Sequence, residues 1–338
     1  MGRFVLQRLI AAIPVLLGVV ILTFLLMRVL PGDPAAYLAS TPGMGAAEIA
    51  KIRQDLGIDR PLIDQLFIYL SNLGRGDLGK SIVTGRPVLA ELVQRLPASI
   101  ELTLVALTAT ILIGVPLGIL GALRANTVID QIVRAISAVG GAIPTFVTGL
   151  LFIFIFFYWL GWAPEPIGRL DSFSSPPTAR TGSYLIDSVL TGDFETFRSS
   201  LSQLLLPAAT MVLFGLPPIT RMTRASMLEV LRSEPIRTAR ALGLSRRKIL
   251  LSYALRNAAI PIVTTLGIVS SFMLGANVLV EKVFAWPGIG SYALEGLLAS
   301  DYDPVQGFVL TMAAIFVAIN LLVDIIYAVI DPRARFGS

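Results

Sequence analysis

Six stretches of the chain stay apolar for the length of a bilayer crossing. A hydrocarbon core roughly 30 Å thick takes about 20 residues of helix to span. Residues 9–30, 100–123, 135–161, 201–220, 257–280 and 307–330 each reach that length, and the only charges within them are Arg28, Glu101 and Asp324. The pattern predicts an all-α membrane protein with six transmembrane helices. Pro14, Pro116, Pro144 and Pro261 fall inside these stretches, where neighbouring helices can satisfy the carbonyls that proline frees. The run from Leu9 to Met27 is longer than a signal-peptide core and leads into Arg28 and Pro31-Gly32-Asp33 with no small-residue cleavage site. It reads as a retained anchor.

The polar segments differ in character. Segment 31–99 is too long for a simple connection, and its periodicity predicts short helices around Ala46–Leu56 and Leu62–Leu73, forming a small folded cap. Segment 162–200 carries Pro164, Pro166, Pro176, Pro177 and several serines; it reads as an irregular loop with one short helix near 183–192. No internal repeat argues for an inverted-repeat transporter.

Composition narrows the chemistry. Only 14% of the 338 residues are charged and 55% are hydrophobic, against about 25% charged in soluble domains. The chain has no cysteine and no histidine, which removes disulfides, thiolate metal sites, the cysteine nucleophile and the usual general base near neutral pH. The net charge of +5 matters less than its placement. The N-terminus, 124–134, 221–256 and 331–338 hold 15 Lys and Arg in 63 residues, whereas 31–99, 162–200 and 281–306 hold 11 in 134. The positive-inside rule makes the first set cytoplasmic, with both termini inside.

Gly74-Arg75-Gly76-Asp77-Leu78-Gly79-Lys80-Ser81 matches the phosphate-loop pattern. That chemistry needs a strand before the loop and a helix starting at the lysine. Here the preceding residues read as helix, and Gly85 and Pro87 interrupt any helix that follows. A glycine-rich turn is the expectation.

Segment 233–249 carries the most information. Ser233 can cap a helix that Pro235 helps to start. Ile236, Ala239 and Leu242 share one face, Gly243 is placed to end the helix in the left-handed region, and Ser245 can cap a second helix running to about Asn257. Two short helices with exposed apolar side chains and no core of their own call for a docking partner. The alternative is a basic loop on anionic lipid, drawn at about 1 kcal/mol per basic residue, which accounts for Arg246, Arg247 and Lys248.

The block Arg237-Thr238-Ala239-Arg240-Ala241-Leu242-Gly243-Leu244-Ser245, followed by Leu250 to Pro261, resembles the coupling-loop signature of binding-protein-dependent ABC importer permeases, dipeptide/oligopeptide branch. Further matches run in order along the chain: Leu30-Pro31-Gly32-Asp33-Pro34, Gly76 to Ser81, Glu281 to Gly290, Asp301-Tyr302-Asp303-Pro304 and Asp331-Pro332-Arg333. The resemblance implies a type I importer permease fold of the bacterial inner membrane, with an external cap between helices 1 and 2. Residues 1–96 would form the first helix and cap, 97–330 a five-helix core with the coupling loop at 221–256, and 331–338 a cytoplasmic tail. It further implies a second homologous permease, two cytoplasmic ATPases that hold ATP and Mg, and an extracytoplasmic solute-binding protein. The chain itself would be no enzyme, bind no cofactor and no nucleic acid, and meet membrane lipid. The family's loop opens with Glu-Ala-Ala; Arg237, Thr238 and Ala239 stand there, and Gly243 is in register. The implied ATPase-docking residues are Arg237, Thr238, Ala239, Arg240, Gly243, Leu244 and Ser245. Peptides are the default cargo, with nickel complexes, glutathione and oligosaccharides as alternatives.

A few residues remain as candidates for a translocation path or gate. Asp324, near Asn320, is an intramembrane acid and would anchor the remoter reading of an ion-coupled secondary transporter. Glu281, Pro287 and Gly288 suggest a re-entrant turn at the mouth of the path. Arg28 and Glu101, near span ends, are expected to reach the interface. Small residues such as Gly267 and Gly275 favour close helix packing.

Overall fold

The structure is a computed structural model that describes residues 2–29, 54 and 59–330. The described residues form eleven helices. These are α1 (Gly2–Val29), α2 (Leu62–Gly74), α3 (Val88–Leu123), α4 (Val128–Ala142), α5 (Thr145–Trp159), α6 (Tyr184–Thr191), α7 (Phe194–Leu231), α8 (Glu234–Ala241), α9 (Arg246–Val283), α10 (Ile289–Leu298) and α11 (Tyr302–Ile330). Five of them, α1, α3, α7, α9 and α11, are long and apolar enough to cross a membrane, and the number is six if the bent pair α4–α5 is counted as one span. The expected helix at 46–56, apart from Gln54, and the tail 331–338 lie outside the described residues.

The third span departs from the continuous helix expected at 135–161. It is two helices bent by 101°. Ile143 is extended, at φ −102° and ψ 132°, and Pro144 precedes the first turn of α5. Proline disfavours the helical region for the residue before it, and Ile143 takes the extended alternative. The same residue type acts differently in α7, which runs unbroken through Pro207, Pro217 and Pro218. The other spans are also longer than their apolar stretches: α7 and α9 each have 38 residues. The helix expected to end near Asn257 instead continues to Val283, through a π-helical stretch at Ile249–Ala254.

By contacts the chain divides into two units, residues 1–98 with 287–317 and residues 99–286 with 318–338. In the second unit α7 packs against α4, α5, α6 and α9, and α9 also against α5. Gly118 of α3 permits a close approach to α7: a Cβ there would sit 2.6 Å from Thr223 Cβ and 2.8 Å from the Thr220 carbonyl oxygen. In the first unit Val88, Leu92, Ile289 and Tyr292 form a buried cluster flanked by Leu78, Leu96, Phe308 and Met312.

Segment 74–87 is the expected turn. α2 precedes it, Lys80 pairs with Pro87 in an isolated bridge, and the next helix begins only at Val88. Backbone N–H groups that would cradle a phosphate are engaged by carboxylates: Gly79 donates to Asp77 at 2.9 Å, Lys80 to Asp303 at 3.2 Å and Ile82 to Asp301 at 2.7 Å.

Candidate functional site

Residues 233–249 fold as helix, turn, helix. α8 starts after Ser233, with Pro235 in its first turn, where the missing N–H costs nothing. The Ser233 backbone holds the cap position, but its hydroxyl donates to the Val230 carbonyl at 2.7 Å and caps no α8 N–H. At the other end Gly243 has φ +72°. The Gly243 N–H donates to the Arg240 carbonyl at 3.0 Å, and the Leu244 N–H reaches back to Ala239 at 3.2 Å. This is the six-to-one and five-to-two bond pair of a glycine-terminated helix. Ser245 then caps α9, its hydroxyl accepting from the Lys248 N–H at 3.4 Å.

The apolar face of α8 is not wholly free for a partner. Ile236 and Ala239 are buried in a cluster of their own chain with Ala122, Met227, Ile249, Ala254, Ala258 and Ile262. The expectation that the two helices lack a core is therefore corrected: burial of Ile236 anchors α8 to the ends of α3, α7 and α9. What remains outward is Leu242, 75% exposed, with Arg237, Thr238, Arg240, Gly243 and Ser245 around it, while Leu244 is half-buried. Arg237 is turned along α8 by an exposed ion pair with Glu234 at 2.6 Å. A short helix fixed at its inner face and exposed on its outer face can pass force from a docked partner into three long helices.

Segment 162–200 carries a second ordered cluster. Glu101, expected to reach the interface, is instead buried, accepting from Arg169 Nη2 at 2.5 Å, Ser183 Oγ at 2.6 Å and the Leu185 N–H at 2.9 Å. The Arg169 guanidinium lies over the Tyr184 ring, 3.5 Å from its centroid. Nearby, Asp187 accepts from the N–H groups of Arg180, Thr181 and Gly182 and from the Thr181 hydroxyl. Burial pushes this carboxyl up, but those donors outweigh it and hold it below its ordinary value.

The translocation-path candidates lie on different elements. Glu281 sits within α9, fully buried, accepting from Ser99 Oγ of α3 at 2.5 Å and from Asn277 Nδ2 at 2.9 Å. α9 ends in a turn in which Ala285 takes φ +49° and the Trp286 N–H donates to the Glu281 carbonyl at 2.8 Å. Pro287 and Gly288 follow, with Gly288 leading into α10, a ten-residue helix too short to cross. Asp324 and Asn320 lie one turn apart on α11, Asp324 half-buried and Asn320 exposed. Ser99 and Asn277, partners of Glu281, escaped sequence reasoning; the Asn277–Glu281 spacing of four was the available signal. Arg169 gave none.

The family model described as "Binding-protein-dependent transport system inner membrane component" matches residues 114–336, and its N-terminal counterpart matches residues 1–103. The chain belongs to this family. The permease is 44% identical to the probable D,D-dipeptide transport system permease protein DdpB of Escherichia coli K12, over 98% of its own length and 97% of that protein. It is 39% identical to the dipeptide transport system permease protein DppB of Alkalihalophilus pseudofirmus, over 99% of its length and all of the relative. Among solved structures, a chain of the inward-facing MetNI methionine ABC transporter superposes with a TM-score of 0.53 at 19% identity, covering 72% of the permease and 97% of that chain. That likeness supports the type I importer permease fold. The permease is thus a multi-pass inner-membrane component of an ABC importer, and in this family ATP hydrolysis belongs to partner ATPases rather than to the permease.

Proposed function

We propose that this permease moves peptides of dipeptide to oligopeptide size, delivered by an extracytoplasmic solute-binding protein. It would pair with a second, homologous permease and be driven by two ATPases that hold ATP and Mg; the chain itself binds neither cofactor nor nucleic acid. The observation that carries this reading is near full-length similarity to relatives named for D,D-dipeptide and dipeptide transport. The ATPases dock on the outer face of α8 and its turn, from Arg237 through Ser245, around exposed Leu242. Its support is mechanical: Gly243 ends α8 sharply, and Ile236 locks it to the long helices. Both termini and this loop face the cytoplasm, as the density of basic residues favours.

The test is gentle extraction of the tagged permease from native membranes, identification of what accompanies it, and uptake of labelled dipeptides in cells with and without its gene. Co-purification of two ATPases and a second six-span permease, with dipeptide uptake that falls when ATP is depleted, is expected. A permease that emerges alone, with uptake insensitive to ATP and abolished by collapsing the proton gradient, would overturn the proposal and bring Asp324 to the centre.

A further inference from the structure

The helix α2 is apolar on more than its inward side. Leu66, Tyr69, Leu70 and Leu73 are half-buried beside buried Gln65, yet Ile63 and Phe67 are 67% and 68% exposed, with Leu62 and Ile68 also exposed. Four large apolar side chains in a thirteen-residue helix left in water would each forfeit stabilisation that burial supplies.

What lies against them follows from where α2 is fastened. The Arg28 guanidinium donates from Nε to Gln65 Oε1 at 2.8 Å. One turn further along each helix, the Tyr69 ring stacks on Phe24 with centroids 5.7 Å apart. Gln65 is thus level with Arg28, and Tyr69 with Phe24. Arg28 is the first charge after the uncharged run Leu9 to Met27, so it marks the end of the membrane-crossing part of α1, with Phe24 about one helical pitch, 5.4 Å, inside it. Phe67, between Gln65 and Tyr69 in sequence, is held in that same narrow band. On α1, Leu22, Leu25, Leu26 and Val29 are exposed at this level too, so both helices turn apolar side chains away from their shared seam. Tyr and Trp, whose rings carry a polar end, favour this zone of the bilayer, and Tyr69 stands in it.

We propose that α2 is a lipid-interface helix, its Ile63–Phe67 stripe seated among acyl chains and headgroups where α1 leaves the membrane. The cap between the first two spans is then moored to the bilayer as well as to α1. The inference rests on α1 crossing the membrane and is independent of the cargo.

Photo-cross-linking in native membranes tests it on the assembled transporter. p-Benzoylphenylalanine placed at Phe67, and separately at Ile63, is expected to give adducts of the permease with phospholipid, read by the intact mass of the irradiated chain. Both positions are exposed, so the replacement leaves the fold intact, which wild-type co-purification of the partners verifies. A cross-link to another subunit, or to residues 30–58 of the permease itself, would overturn the proposal, as would the absence of any adduct, the result for a water-facing stripe. Loss of uptake with the lipid adducts intact would bear on cargo and leave this inference standing.

Discussion

Ser81 Oγ donates to Asp301 Oδ2 at 2.7 Å, although 220 residues separate the two. The same oxygen accepts from the N–H groups of Ile82 and Val83 at 2.7 and 3.3 Å. One carboxylate therefore organises the turn that the phosphate-loop pattern had singled out. Burial pushes Asp301 above its ordinary value, opposed by these three donors.

Asp301→Ala should loosen segment 78–87, because three donors lose one acceptor and each buried donor left unpaired costs about 1–3 kcal/mol. Trypsin cleavage after exposed Lys80 reads this out. Faster cleavage is expected in Asp301→Ala and a smaller rise in Asp301→Asn, which keeps an acceptor. Equal rates in wild type and Asp301→Ala would refute the role assigned to Asp301.

The Arg169–Glu101 pair is buried on both sides, so removing one partner strands a charge. Glu101→Ala or Arg169→Ala is expected to cost about 3–5 kcal/mol, while replacing both by apolar residues of similar volume costs much less. Thermal unfolding of the wild type and the three variants in detergent gives the comparison. Additive losses in the double replacement would show that the two charges do not depend on each other.

Gly243→Pro should uncouple transport. Proline fixes φ near −65°, far from the +72° found here, and removes the N–H that donates to Arg240. Because Ile236 and Ala239 stay buried, the chain should insert at wild-type levels while uptake falls at least about tenfold. Wild-type uptake by this variant would sink the coupling role of α8.

Asp187 predicts a response to acid. Its carboxyl lies below the ordinary value in the folded chain, so on acidification the unfolded segment takes up the proton first. The stability it supplies is complete above the ordinary carboxylate value and is lost as pH falls through the folded value. Midpoints measured between about pH 6 and pH 3 should drop more steeply for wild type than for Asp187→Asn. Parallel curves would show that the carboxylate does not carry this dependence.

Much of the architecture is written in local sequence. The helices at Leu62–Gly74 and Tyr184–Thr191 lie close to the stretches 62–73 and 183–192 where helices are expected. The α8 turn is legible for the same reason: a glycine in the left-handed region and a serine cap act on neighbours three to five residues away. The break at Ile143-Pro144 was harder to read. Three prolines in α7 leave that helix unbroken, so proline alone does not say which span will bend.

The sequence by itself determined that this chain lives in a membrane, how many apolar stretches it threads, and which segment ends in the Gly243 turn. Those properties come from runs of apolar residues and from bonds between near neighbours, which exist whatever the rest of the fold does. Only the tertiary structure decided that Glu101 meets Arg169, that Ser99 and Asn277 enclose Glu281, that Ser81 meets Asp301, and that Ile236 is spent on the chain's own core rather than offered to a partner. Each of those depends on which face one helix turns to another. Residues separated by dozens to hundreds of positions carry no periodic signal of that choice.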